Sequence, residues 1–154
     1  MKLTNNFSLK EMTASQTADR HGISNNPSED HMDNLKRLCE NVLQKVRDHY
    51  GKVVSSGYRS PELCVKIGSS QKSQHAKGQA ADFEIFGVPN AELAKYIIDN
   101  LDFDQLILEF HNPEEPNSGW IHCSYKNAED NRKQVLRAYR NSDGKTIYEP
   151  YDPS

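Results

Sequence analysis

One apolar period constrains this chain more than any other feature. Met32, Leu35, Leu38, Cys39, Val42, Val46 and Tyr50 recur at three- and four-residue steps, which predicts a helix over residues 27–50 with one apolar face. Such a face needs a layer to cover it. Asn26 can cap the start, Pro27 suits the first helical position and Glu29 stands three after the cap, while Gly51 ends the helix. Beyond Gly51 the period changes. Residues 52–58 read as a short buried strand, and Ser60 can cap a helix opened by Pro61. Residues 68–78 have no period and read as a loop, and residues 80–86 alternate as a half-buried strand. Asn90 caps a second helix through Asn100, with Leu93, Ala94, Ile97 and Ile98 on its apolar face. Residues 105–110, 119–125, 134–140 and 146–151 read as further strands, the last two joined by the turn at residues 141–144. Helices alternate irregularly with hairpin-spaced strands. The expected class is α+β, an antiparallel sheet flanked by helices. With no repeat and no Gly/Ser linker, a single domain over 1–154 is expected.

Charge narrows the partners. Nineteen Lys and Arg against twenty-two Asp and Glu give a net charge of -3 with no basic block, which speaks against nucleic acid. No apolar run approaches the ~20 residues that span a bilayer, so membrane insertion is not expected. The opening residues lack the apolar stretch of a secretory signal, and a cytoplasmic protein is expected. Cys39, Cys64 and Cys123 are odd in number, widely spaced and outside any CxxC pair, as suits reduced thiols rather than a disulfide framework or a cysteine zinc site.

Chemistry concentrates in Ser73-Gln74-His75-Ala76-Lys77-Gly78-Gln79-Ala80-Ala81-Asp82. Ligands seven residues apart on a straight helix would stand ~10.5 Å apart along its axis, too far for one ion with ~2 Å bonds. A metal reading therefore needs a turn between His75 and Asp82, and Gly78 permits one. Ala80 keeps the strand thin there, and Asp82 points off one strand face with Glu84. A third ligand comes from His122, which shares a strand face with Trp120 and Ser124 while Ile121, Cys123 and Tyr125 face the other way. Two imidazoles and one carboxylate leave a tetrahedral zinc one position open to water, the pattern of a catalytic site.

The pattern SxHxxGxAxD at Ser73 to Asp82, followed by Trp120-Ile121-His122, resembles the zinc D-alanyl-D-alanine carboxypeptidase superfamily, which includes cell-wall carboxypeptidases, dipeptidases and phage endolysins. Phe7-Ser8-Leu9-Lys10-Glu11-Met12, with Ser15, Thr17, Ala18 and Gly22-Ile23-Ser24-Asn25, resembles the opening of its phage-type branch. Ser56-Gly57-Tyr58-Arg59-Ser60 resembles the stretch bearing its active-site arginine. The resemblance implies a hedgehog/D-Ala-D-Ala peptidase fold and one zinc (Zn2+) per chain on His75, Asp82 and His122. It also implies that Arg59 contacts a substrate carbonyl or carboxylate. Several branches place the general base three residues before the last histidine ligand, but Gly119 stands there. Glu109, closing a buried strand, is the preferred base; Glu84 is second.

His21, His31, His49 and His111 are expected to be non-ligands, Cys123 a core residue and Trp120 a packing residue beside the site. The implied activity is hydrolysis of peptidoglycan stem peptides by a monomer without a signal peptide, phage-encoded and released at lysis. Two other readings stand beside it. One is a non-catalytic zinc-bearing module, favoured by Gly119, and the other is a cytoplasmic hydrolase of D-amino-acid dipeptides.

Overall fold

Alternation along three adjacent strands decides where everything else packs. The computed structural model describes residues 2–67, 73–115 and 117–152. Six strands, β1 (Val54–Ser56), β2 (Ala80–Glu84), β3 (Gln105–Glu109), β4 (Trp120–Ser124), β5 (Gln134–Arg140) and β6 (Thr146–Pro150), form one sheet in the order β1-β2-β4-β3-β5-β6. On one face Ala81, Phe83, Leu106, Leu108, Ile121 and Cys123 are each at most 4% exposed. They form one core with Leu35, Leu38, Val42 and Val46 of the long helix and with Leu93 and Ile97 of a second helix. Each such Leu or Ile contributes about 1.5–3 kcal/mol by leaving water. The opposite face carries Asp82, Glu84, Ile107, Glu109, Trp120 and His122, because side chains alternate and register partners share a face.

The sheet is mixed, where an all-antiparallel one was expected. β3 and β5 run parallel, with Ile107 opposite Leu136. The reason is topological. β4 is antiparallel to β3 and its other edge is occupied by β2, so β5, reversing after β4, must join the free edge of β3 and run with it. The α+β class itself is what the structure shows.

Helices α1 (Leu9–Met12) and α2 (Gln16–His21) precede the long helix, which comprises α3 (Glu29–Leu38), a π-helical turn (Cys39–Leu43) and α4 (Gln44–Tyr50). Its cap lies two residues later than expected. Ser28, with extended backbone angles, accepts from His31 N–H through its hydroxyl, so Pro27 precedes the helix. The wider π turn coincides with the burial of Leu43, which the three-four spacing omits, beside Val42 and Val46. Residues 52–58 also differ from expectation: only Val54–Ser56 are strand, and they form an edge with Val54 exposed. Ser60 does cap α5 (Pro61–Lys66), accepting from Leu63 N–H.

Asn90 does not cap α6 (Asn90–Asn100). Pro89 holds the cap position, and Asn90, 1% exposed, instead donates through Nδ2 to the carbonyls of Ser118 and Gly119. The helix start is thereby tied to the turn that leads into β4. Residues 68–72 of the expected loop lie outside the described residues, and its remainder contains a single 3-10 turn, Gln74–Lys77.

Candidate metal centre

His75 rides on that 3-10 turn. Ser73 caps it by accepting from His75 N–H at 3.2 Å, and Gly78 leaves it in the left-handed region at φ 74°. A side chain at Gly78 would also overlap the His31 carbonyl oxygen, so glycine is required there twice over. The predicted turn between His75 and Asp82 is thus present, and β2 then carries Asp82 to the sheet face where His122 is its direct register partner.

Three side chains meet as a result. His122 Nδ1 lies 3.0 Å from Asp82 Oδ1 and His75 Nε2 lies 3.5 Å from the same oxygen. One donor atom from each of the three lies within 4.8 Å of the others, and among the described residues these three form the cluster able to hold a metal ion. Donors ~2.0–2.1 Å from a tetrahedral zinc would stand about 3.3 Å apart, and the 3.0 and 3.5 Å separations about Asp82 Oδ1 are of that size. The protonation of His75 fits as well. Its Nδ1 is 2.9 Å from the Gly57 carbonyl, which can only accept, so Nδ1 carries a proton and Nε2 is the ring nitrogen that faces the cluster. Burial works to raise the Asp82 carboxyl, but hydrogen bonds from His122 and His75 and their charge outweigh it and hold it well below the usual carboxylate range. It is therefore a carboxylate, the form a cation needs.

Arg59 reaches the cluster from the segment after β1. Its Nη2 donates to Asp82 Oδ2 at 3.1 Å, on the oxygen that the two histidines leave free. The backbone behind it is held by Asn25, a buried residue of the N-terminal motif. Asn25 Nδ2 donates to the carbonyls of Thr13 and Tyr58, and its Oδ1 accepts from Ser60 N–H at 2.7 Å. Arg59 N–H in turn donates to the His75 carbonyl at 3.1 Å.

Glu109 closes β3 two residues beyond Ile107, the register partner of His122, and stands across from Trp120. Burial raises its carboxyl above the ordinary glutamate value, and the negative charge of Asp82 raises it further; His122, Trp120 and Arg59 work the other way. The Trp120 indole N–H is buried beside this carboxylate without a hydrogen-bond partner of normal geometry. Its ring packs on Phe110 at 5.4 Å between centroids, as expected of a packing residue. Glu84 shares the face but is exposed, further along β2 than Asp82.

The family model of Peptidase M15 matches residues 5–124. The chain belongs to Peptidase M15. It is thus a member of the zinc D-Ala-D-Ala carboxypeptidase superfamily that its motifs resemble. The M15 match spans Arg59, His75, Asp82, Glu109 and His122 and stops at the end of β4, before β5 and β6. No curated protein matches the chain.

Gly119, where several M15 branches carry a base, has a conformational reason of its own. It adopts φ 72°, and a Cβ there would overlap the Glu109 carbonyl oxygen and stand 2.7 Å from Phe110 C and 2.8 Å from His111 N. The turn into β4 excludes a side chain at this position. Sequence reasoning gives Asn25 and Gln74 no role beyond their place in motifs and does not reach Asp104 or Arg132, and all four brace the site. Their partners lie far off in the chain, and no local period marks them.

Proposed function

We propose that this chain is a zinc peptidase that hydrolyses peptide bonds in peptidoglycan stem peptides, with one zinc per chain on His75, Asp82 and His122. The fold we propose is hedgehog/D-Ala-D-Ala peptidase-like, as one domain and a monomer. What carries the reading is a two-histidine, one-carboxylate donor set, with His75 on the 3-10 turn and Asp82 and His122 on one sheet face, together with Arg59 bonded to Asp82 and Glu109 on the strand next to His122.

When bound, the ion supplies Lewis-acid chemistry, polarising the scissile carbonyl and lowering the pKa of water. The protein does the rest. Asp82, His75 and His122 would hold the ion, and three protein ligands would leave it a place for water or substrate. Glu109, with its carboxyl raised above the ordinary glutamate value, takes the proton of the attacking water and passes it to the leaving amine. Arg59 spends one N–H on Asp82 and keeps others for a substrate carbonyl or carboxylate, where charge develops during attack. The two carboxylates are separated by role. Asp82 is held ionised by its histidines, whereas Glu109 is partly buried and its carboxyl is raised, as suits a group that exchanges a proton.

A non-catalytic module loses its main support, because Gly119 is required by the turn whether or not the chain catalyses anything. The deciding experiment digests purified peptidoglycan with and without a chelator and reads the fragments by mass spectrometry. New free termini in the stem peptides, abolished by chelation, are the expected result. Intact walls, with zinc shown to be bound, would overturn the peptidoglycan assignment.

A further inference from the structure

Away from the three donors, a fully buried carboxylate joins the two ends of the site. The Asp104 side chain is 0% exposed. Its Oδ1 accepts from Arg132 N–H and Nε at 3.0 Å each, and its Oδ2 accepts from Arg132 Nη2 and from Gln74 Nε2, both at 2.9 Å. Lys126 Nζ stands 4.0 Å away. Buried carboxylates are rare unless paired, and this one is matched by a bidentate guanidinium and a neutral amide.

Its partners place it. Gln74 immediately precedes His75 on the 3-10 turn. Asp104 N–H donates to the Ser124 carbonyl at 2.8 Å, and Ser124 lies two residues beyond His122 on the same strand. The Asp104 carbonyl accepts from Gln134 N–H at the start of β5. One residue thus touches the turn that carries the first donor, the strand that carries the third and the segment that brings Arg132 in.

We infer that Asp104 is a positioning residue of the metal centre, acting through Gln74 to hold the His75 turn at its distance from β4. This rests on the metal reading above. Arg132 neutralises the charge so that the carboxylate can stay ionised in the interior, and Gln74 is the link that acts on the ligand. Ligand-orienting partners of this kind typically change metal affinity 10- to 100-fold.

Asp104→Asn disturbs a buried ion pair and is prone to unfold, so the decisive variant is Gln74→Met, which keeps the length of the side chain, removes the donor and leaves Asp104 with Arg132. Zinc affinity is measured by competition with a chromophoric chelator, and the melting temperature is measured on zinc-free protein. The expected result is zinc bound 10- to 100-fold more weakly with the zinc-free melting temperature within a few degrees of wild type. Unchanged affinity would overturn the inference. So would a weakened affinity accompanied by an equally weakened zinc-free fold, which would make the bond merely structural. If the wild-type chain itself takes up no zinc, the metal centre falls and this inference with it; tight wild-type binding with an indifferent Gln74→Met sinks only the latter.

Discussion

The Glu109 backbone fills the space a side chain on Gly119 would need: a Cβ on Gly119 would overlap the Glu109 carbonyl oxygen. The position where several relatives carry a base is therefore closed, and the neighbouring strand end bears the carboxylate. Gly119→Ala should cost about 2–5 kcal/mol, combining ~1–2 kcal/mol for a left-handed non-glycine residue with ~1–3 for overpacking. Urea unfolding of zinc-free protein measures it, and a loss under 0.5 kcal/mol would contradict the steric account.

Replacing Glu109 tests the base. Glu109→Gln should bind zinc normally and lose at least ~100-fold in rate, whereas Glu84→Gln should keep most of its activity. The reverse ranking, with zinc measured in both, would move the base to Glu84.

The same carboxyl predicts a pH effect on stability. Its folded value is raised above the unfolded one, so its contribution is fully present below the unfolded value and is lost as pH rises through the folded value. Above its folded value the ionised Glu109 is a net cost, and zinc-free Glu109→Gln should melt no lower than wild type there. In the wild-type enzyme the acid limb of kcat/KM should fall above the ordinary glutamate value of ~4.3, since the base must be ionised. A limb at or below that value would contradict the raised carboxyl.

Arg59→Lys keeps the charge and loses the planar fork. Turnover should drop with zinc content retained and the melting temperature near wild type. A variant that fails to fold would return Arg59 to a structural role, through its bond to Asp82.

Asp104 predicts the acid behaviour of the fold. Burial tends to raise its carboxyl, but the Arg132 and Gln74 hydrogen bonds outweigh this and lower it from 3.8 to about 2. A lowered folded value contributes stability above the unfolded value that disappears as pH falls through the folded one. Zinc-free protein should therefore lose stability between pH 3.8 and about 2, and Arg132→Gln should shrink that loss. Identical acid profiles for the two proteins would be the contrary result.

Local signals were readable and long-range ones were not. The long helix, the Ser60 cap and the strand phase that puts Asp82 and His122 on one face follow from period and turn chemistry within short windows. Gln74, Asp104 and Arg132 span up to 58 residues of chain between them, and nothing in the neighbourhood of any one announces the other two. Asn90 misled for a related reason. An asparagine before a helix looks like a cap in isolation, but here its amide is occupied by carbonyls 28 and 29 residues away. The parallel β3–β5 pair was likewise invisible, since it depends on which edge β2 had already taken.

Asp82 and His122 are partners in strand register, 40 residues apart, and this bears on when in folding the ion can be captured. A slip of one residue between β2 and β4 would set Asp82 opposite a residue that faces the core and turn the imidazole away from the carboxylate. Ser73 to Asp82 carries two of the donors, but the third comes 40 residues later, so the set is complete only once β2 and β4 have paired. Uptake of zinc should therefore be a late refolding event, following the closure of the central strands, and added metal should slow unfolding without hastening the return to the native state.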